Sequence, residues 1–229
     1  LANRAFSTRQ TCDGRAISLE AQSMLPIEHP DEMGMSVERA LAWIRGSPRY
    51  TSLFQAAYGA DADEARLRSS FAAFVRSLVS GDSRVDRFQA GDRSALTPGE
   101  ERGRTLFHGK ARCVACHTGS NYSDEEFHNT GFLSNLALDP GRSARTGRAR
   151  DRGRFKTPTL RDVDLTAPYL HDGSLPTLEQ VIDRYDRGGI SEENRDAEIR
   201  PLGLTPAEKA DLAAFLRALT GRTLDTTPP

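Results

Sequence analysis

The chain has 229 residues, a formal net charge of −1, and 37% hydrophobic and 28% charged residues. That length suffices for one large domain or two small ones. The balanced charge gives no general attraction to nucleic acid or an anionic membrane, and no run approaches the ~18 consecutive apolar residues of a membrane span. No secretion signal is visible. The chain opens on Leu1-Ala2-Asn3-Arg4-Ala5-Phe6, which reads as the inside of a domain, so a preceding segment is expected.

In chain order, residues 37–45 read as a helix carrying Leu41, Trp43 and Ile44. Residues 63–79 place Leu67, Phe71, Phe74, Val75 and Leu78 on one face at helical spacing. Residues 80–97 are polar and glycine-containing, and read as a linker. Residues 98–109 follow Thr97-Pro98-Gly99-Glu100, a capping box with proline at the first helical position. Between 118 and 176 no helical period lasts two turns, and irregular chain of that length commonly wraps a ligand. Residues 178–187 follow Thr177, carry Val181, Ile182 and Tyr185, and end at Gly188-Gly189. Residues 206–219 start with Thr205-Pro206-Ala207-Glu208 and bury Leu212, Phe215, Leu216 and Leu219. Strand signals are weak, so the expected fold is mainly α.

Cys113, Cys116 and His117 stand in C-V-A-C-H, while Cys12 is alone far upstream. Two thiols three residues apart can each add to a vinyl group of haem, and the adjacent imidazole then ligates the iron. The competing readings are a thiol redox pair, which lacks a βαβ context here, and a zinc site, for which His108 and His128 have no paired spacing. Methionine is the usual second axial ligand of electron-transfer cytochromes c. Met24, Met33 and Met35 all precede the motif, which leaves Tyr185 and His171 as downstream candidates. Read alone, Tyr185 is also a plausible core tyrosine and His171 a loop histidine.

Further motifs are C-D-G-R-A at 12–16, L-E-A-Q at 19–22, P-x-x-x-P-x-E-M at 26–33 and A-A-F-V-R-S-L at 72–78. They are followed by F-H-G-K-A-R-C-V-A-C-H at 107–117, F-K-T-P-T-L-R at 155–161, T-A-P-Y-L-H-D-G-S at 166–174 and V-I-D-R-Y-D-R-G-G at 181–189. In this order they resemble the bacterial dihaem cytochrome c peroxidase and MauG superfamily, over nearly the whole chain.

The resemblance implies a cytochrome c-like haem domain with long irregular loops at 91–229, and at 1–90 the remainder of a second, peroxidatic cytochrome c-like domain. It implies a haem c oxidoreductase that uses hydrogen peroxide to oxidise a protein or cytochrome donor. Cys113, Cys116 and His117 match the electron-transferring haem site, and Tyr185 matches the axial tyrosine of the MauG branch. Glu32 matches the distal carboxylate that works as acid–base on peroxide, with Gln22 and Pro26 lining the same pocket. Thr166 and Pro168 match positions whose carbonyls bind calcium, a cation that suits oxygen ligands. A periplasmic location is implied as well.

Two departures stand out. The family's N-terminal C-x-x-C-H does not occur in this chain, and Cys12 stands where the family usually has an inter-haem tryptophan. A mono-haem electron carrier without peroxidase activity is therefore the alternative reading. Residues 142–156 hold six arginines and one lysine, which suits either a docking surface for an acidic partner or a solvated loop.

Overall fold

Side-chain caps fix where the helices begin. In the computed structural model, residues 2–132, 139–190 and 193–223 are described. Among them the regular structure is helical apart from four two-residue strands. The chain divides into two compact units, residues 2–11 with 16–79 and residues 12–15 with 80–223.

The first unit holds α1 (Leu19–Glu28), α2 (Val37–Arg45), α3 (Pro48–Tyr58) and α4 (Glu64–Ser77). The side chains of Ser18, Ser36 and Asp63 accept from the amides of Ala21, Arg39 and Arg66, so each satisfies an otherwise orphan donor at a helix start. Pro48 opens α3 at a position that needs no N–H. Met24, Ile27, Val37, Leu41, Phe54, Ala62 and Leu67 form this unit's core.

Three features of the unit differ from the sequence reading. Helices α1 and α3 are additional, because Pro26 interrupts α1 and neither helix carries a sharp apolar stripe. The face of α4 that reaches the core holds Leu67 and Ala72, while Phe71 and Phe74 remain 40% and 61% exposed. The stripe on α4 is thus wider than the surface this unit packs against it. Trp43 is also exposed and lies against Tyr50 with ring centroids 5.5 Å apart.

The second unit begins with β1 (Ser80–Gly81), which pairs antiparallel with β4 (Arg222–Thr223), and continues into α5 (Arg84–Gln89). The span expected as a linker is therefore folded. Its organiser is a capping box in which Ser83 and Asp86 satisfy each other's amides, and it drives Val85 and Phe88 into the core. Helices α6 (Pro98–His108) and α9 (Pro206–Ala218) start from capping boxes at Thr97/Glu100 and Thr205/Glu208 and pack together. Phe107 and Phe215 meet there at 5.2 Å. The four apolar residues expected on α9 and just beyond it, Leu212, Phe215, Leu216 and Leu219, are all buried. Gly103 lets the two helices touch: a Cβ there would lie 2.0 Å from the Asp211 carbonyl oxygen.

Between α6 and α8 (Leu178–Asp186) the described residues are mostly irregular, as expected. Among them the regular structure is β2 (Phe127–His128) paired antiparallel with β3 (Phe155–Lys156), the single-turn α7 (Ser143–Thr146) and short 3-10 turns. No helix among the described residues is long and apolar enough to cross a membrane.

Side-chain ion pairs hold the irregular segment. Arg161 donates through both terminal nitrogens to Asp86, each at 2.8 Å. The Arg161 guanidinium is the main reason the Asp86 carboxyl is pulled down to about 2. Because the folded value lies below the unfolded one, the Asp86 carboxylate, bonded to Arg161 and Ser83, stabilises the fold at neutral pH by about 1 kcal/mol once solvent screening is allowed for. That contribution should fade as pH falls from about 4 towards 2. In acid titrations followed by denaturant unfolding, Asp86→Asn should flatten this part of the stability curve, and an unchanged curve would contradict the assignment.

Candidate functional site

The C-V-A-C-H segment follows α6 directly. The Ala111 amide bonds to the Leu106 carbonyl, Arg112 takes a left-handed conformation at φ 57°, and residues Cys113–Ala115 close a 3-10 turn. The amides of Cys116 and His117 both bond to the Cys113 carbonyl, at 3.3 and 2.9 Å. One turn therefore carries both thiols and the imidazole.

His117 Nδ1 lies 2.9 Å from the Tyr122 carbonyl oxygen, so Nδ1–H is the donor and Nε2 keeps its lone pair. Burial pushes the imidazole pKa down, which favours the neutral ring that ligation requires. The carbonyl is itself held in place. Tyr122 sits at φ 50°, its hydroxyl accepts from Gln89 at 3.2 Å, and its ring edge meets Phe107. The Arg161 guanidinium lies 5.8 Å from the ring centroid. The capping box of α5 thus supports the proximal imidazole through Asp86, Arg161 and Tyr122.

Tyr185 lies on the last turn of α8, with its ring 4.7 Å from that of Phe132. Burial is the main cause that raises its phenol pKa, and the nearby Cys113 and Cys116 thiols raise it further. Its hydroxyl has no hydrogen-bond partner among the described residues. Burial likewise pushes the Cys113 thiol up to about 12. Two thiols, an imidazole with a free nitrogen and an unpartnered phenol therefore share one region, and this donor set fits a c-type haem with two protein axial ligands. His171, the other axial candidate, is engaged elsewhere: it stacks on Phe155 at 3.9 Å, and its Nε2 lies 3.0 Å from Asp139 Oδ2.

His128 has no paired spacing in the sequence, yet the fold brings it to the attachment turn. Ligand atoms of Cys116, Asp124 and His128 all lie within 4.8 Å of one another. Hydrogen bonds donated by its ring to Asp196, Cys116 and Asp124 push the His128 imidazole up to about 11. The only sequence signal is a histidine shortly after the acidic run Asp124-Glu125-Glu126 in irregular chain, which is too common to single out.

The remaining predicted residues fall in two places. In the first unit, Gln22 and Pro26 are one turn apart on α1. Glu32 lies on the exposed turn just after α1, where its amide bonds to the His29 carbonyl and the next amide, that of Met33, returns to the Pro26 carbonyl. In the second unit, Thr166 and Pro168 flank a cis Ala167–Pro168 bond, and neither carbonyl accepts a hydrogen bond among the described residues. Cys12 is exposed, and its carbonyl accepts from the Lys156 amide.

The basic run of 142–156 is mostly paired internally. Arg145 meets Asp13, Arg152 meets Glu193, Arg154 meets Asp196 and Lys156 meets Glu125. Arg142 stacks on the Phe127 ring at 3.6 Å. Among the described residues, Arg148 and Arg150 are the basic side chains of the run for which no such contact is found.

Comparison with known proteins bears on the family of the chain and on its fold. Residues 1–94 match the family model for di-haem cytochrome c peroxidase, and residues 154–190 match a RoxA-like, cytochrome c-like model. The chain is 39% identical to the methylamine utilization protein MauG of Methylorubrum extorquens, covering 99% of this chain and 65% of that protein. It is 35% identical to MauG of Methylophilus methylotrophus, covering 99% and 68%. Among solved structures, a MauG-like protein associated with microbial copper homeostasis superposes with a TM-score of 0.87 at 33% identity, over 96% of this chain and 74% of that one. The chain thus spans about two thirds of the length of the curated relatives it matches. With the site's donor set and these matches together, the chain belongs to the dihaem cytochrome c peroxidase and MauG family of haem c oxidoreductases.

Proposed function

We propose that this protein uses hydrogen peroxide to oxidise a protein or cytochrome electron donor, with the haem at Cys113, Cys116 and His117 serving electron transfer and charge storage. The observation that carries this reading is the meeting of both thiols, the free His117 nitrogen and the Tyr185 phenol in one region. The haem supplies a redox-active iron. Cys113 and Cys116 would hold it by thioether bonds, and His117 Nε2 and the Tyr185 oxygen would supply its protein ligands. An anionic phenolate ligand favours the oxidised metal, which suits storage of an oxidising equivalent.

In the first unit, Glu32 is assigned as the group that moves a proton between the two peroxide oxygens, with Gln22 and Pro26 shaping the pocket of a second haem. Thr166 and Pro168 are assigned as carbonyl ligands of calcium, supported by their unpartnered oxygens. A periplasmic location follows from the family.

The test is peroxide-dependent oxidation of a reduced cytochrome c by the protein expressed from its full coding sequence with haem-maturation machinery. Turnover is expected, and Glu32→Gln should lower it by about 100-fold or more. Haem-loaded protein that exchanges electrons with the donor but does not consume peroxide would establish the mono-haem carrier instead.

A further inference from the structure

His128 is wedged between two carboxylates. Its Nε2 lies 2.9 Å from Asp124 Oδ2, and its Nδ1 contacts Asp196 Oδ2. A neutral imidazole has one bare lone pair, which would here face a carboxylate oxygen; with both carboxylates ionised, as the lowered pKa of Asp124 favours, only the doubly protonated ring satisfies both contacts. The fold therefore holds a fixed cation at this point. The clamp is anchored on both sides. The other oxygen of Asp196 accepts from Arg154 at 2.8 Å, and Arg154 also donates to the Phe127 carbonyl. The Asp124 amide bonds to the Cys116 carbonyl at 2.8 Å. All three side chains of the clamp are largely shielded from solvent, with 14% to 23% exposure. Salt therefore screens their charges less than those of surface pairs.

We infer that His128 is a positioning residue that holds a permanent positive charge beside the Cys116 thioether, offsets the Asp124 carboxylate and raises the reduction potential of the attached haem. This rests on the haem assignment above. The physical basis is Coulombic: reduction lowers the charge on the iron, so a nearby cation favours the reduced form and a nearby anion disfavours it.

Opposite signs separate this role from a purely structural one. His128→Gln removes the cation and should lower the midpoint potential. Asp124→Asn removes the anion and should raise it. Each shift should be about a tenfold change in the reduced-to-oxidised ratio at fixed applied potential, ~59 mV for a one-electron couple. A clamp that merely holds the loop loses the same hydrogen bond in both variants, so both potentials would move in one direction or not at all.

The experiment is a spectroelectrochemical titration of the holoprotein and both variants, after haem content has been measured in each. His128→Arg, which keeps the charge, should return the potential towards that of the parent. If His128→Gln does not retain haem, Asp124→Asn decides alone: a rise supports the inference, and a fall or no change overturns it. A parent protein without covalent haem would overturn the haem assignment and this inference together, whereas a haem-loaded protein with unmoved potentials would overturn this inference only.

Discussion

On the ligation proposed above, Tyr185→Phe is expected to leave the haem with one protein ligand fewer, with the high-spin optical and electron paramagnetic resonance signatures that accompany such a loss. The substitution removes one oxygen and keeps the ring, so the contact with Phe132 survives. Since the hydroxyl has no hydrogen-bond partner among the described residues, its loss orphans no other group. Stability should then change by no more than about 1 kcal/mol. A large spectral change with a small stability change is the signature of a ligand. The reverse pattern, an unchanged spectrum with a lowered melting temperature, would make Tyr185 a core ring.

The second large effect concerns packing. Gly103→Ala should destabilise the second unit by about 3 kcal/mol, at the upper end of overpacking costs. The new methyl would lie 2.0 Å from the Asp211 carbonyl oxygen and 2.8 Å from Phe215 Cβ. Neither is the far end of a flexible side chain, so α6 and α9 must move apart. The gain of about 1 kcal/mol in helix propensity from glycine to alanine cannot offset that. For a unit of this size the melting temperature should drop by roughly 6–12 °C. A variant that melts within about 2 °C of the parent would show that the helices separate at little cost.

The two halves of the molecule were not equally legible in sequence. In the second unit, the Thr-x-x-Glu boxes before α6 and α9 are local signals, and the structure keeps both. The C-x-x-C-H spacing is likewise local, since a single turn carries all three groups. In the first unit, α1 contains Pro26 and α3 lacks a clean stripe, so neither announces itself. Residues 80–97 look like a linker by composition, yet one capping box at Ser83 and Asp86 folds them. The Phe71 and Phe74 positions show the opposite failure, in which helical period was read correctly and burial was not.

His128 illustrates why site residues are harder still. Its partners Asp124 and Asp196 are 4 and 68 residues away, and the clamp exists only after β2 pairs with β3 and the irregular chain closes around it. No periodicity or spacing encodes that. The basic run of 142–156 shows the converse. Its charge was plain in the sequence, but the acidic partners that absorb most of it are scattered from Asp13 to Asp196.

The proposal stands or falls on whether Cys113 and Cys116 attach a haem whose iron His117 ligates. A pyridine haemochrome assay on protein matured in a haem-attaching host, after acid–acetone extraction, tests it most directly. One haem per C-x-x-C-H motif should be retained, with the spectrum of two saturated vinyl groups, and it should be lost in the Cys113→Ala, Cys116→Ala double variant. Haem that is extracted completely, or a protein that instead carries stoichiometric zinc on its thiols, would contradict it.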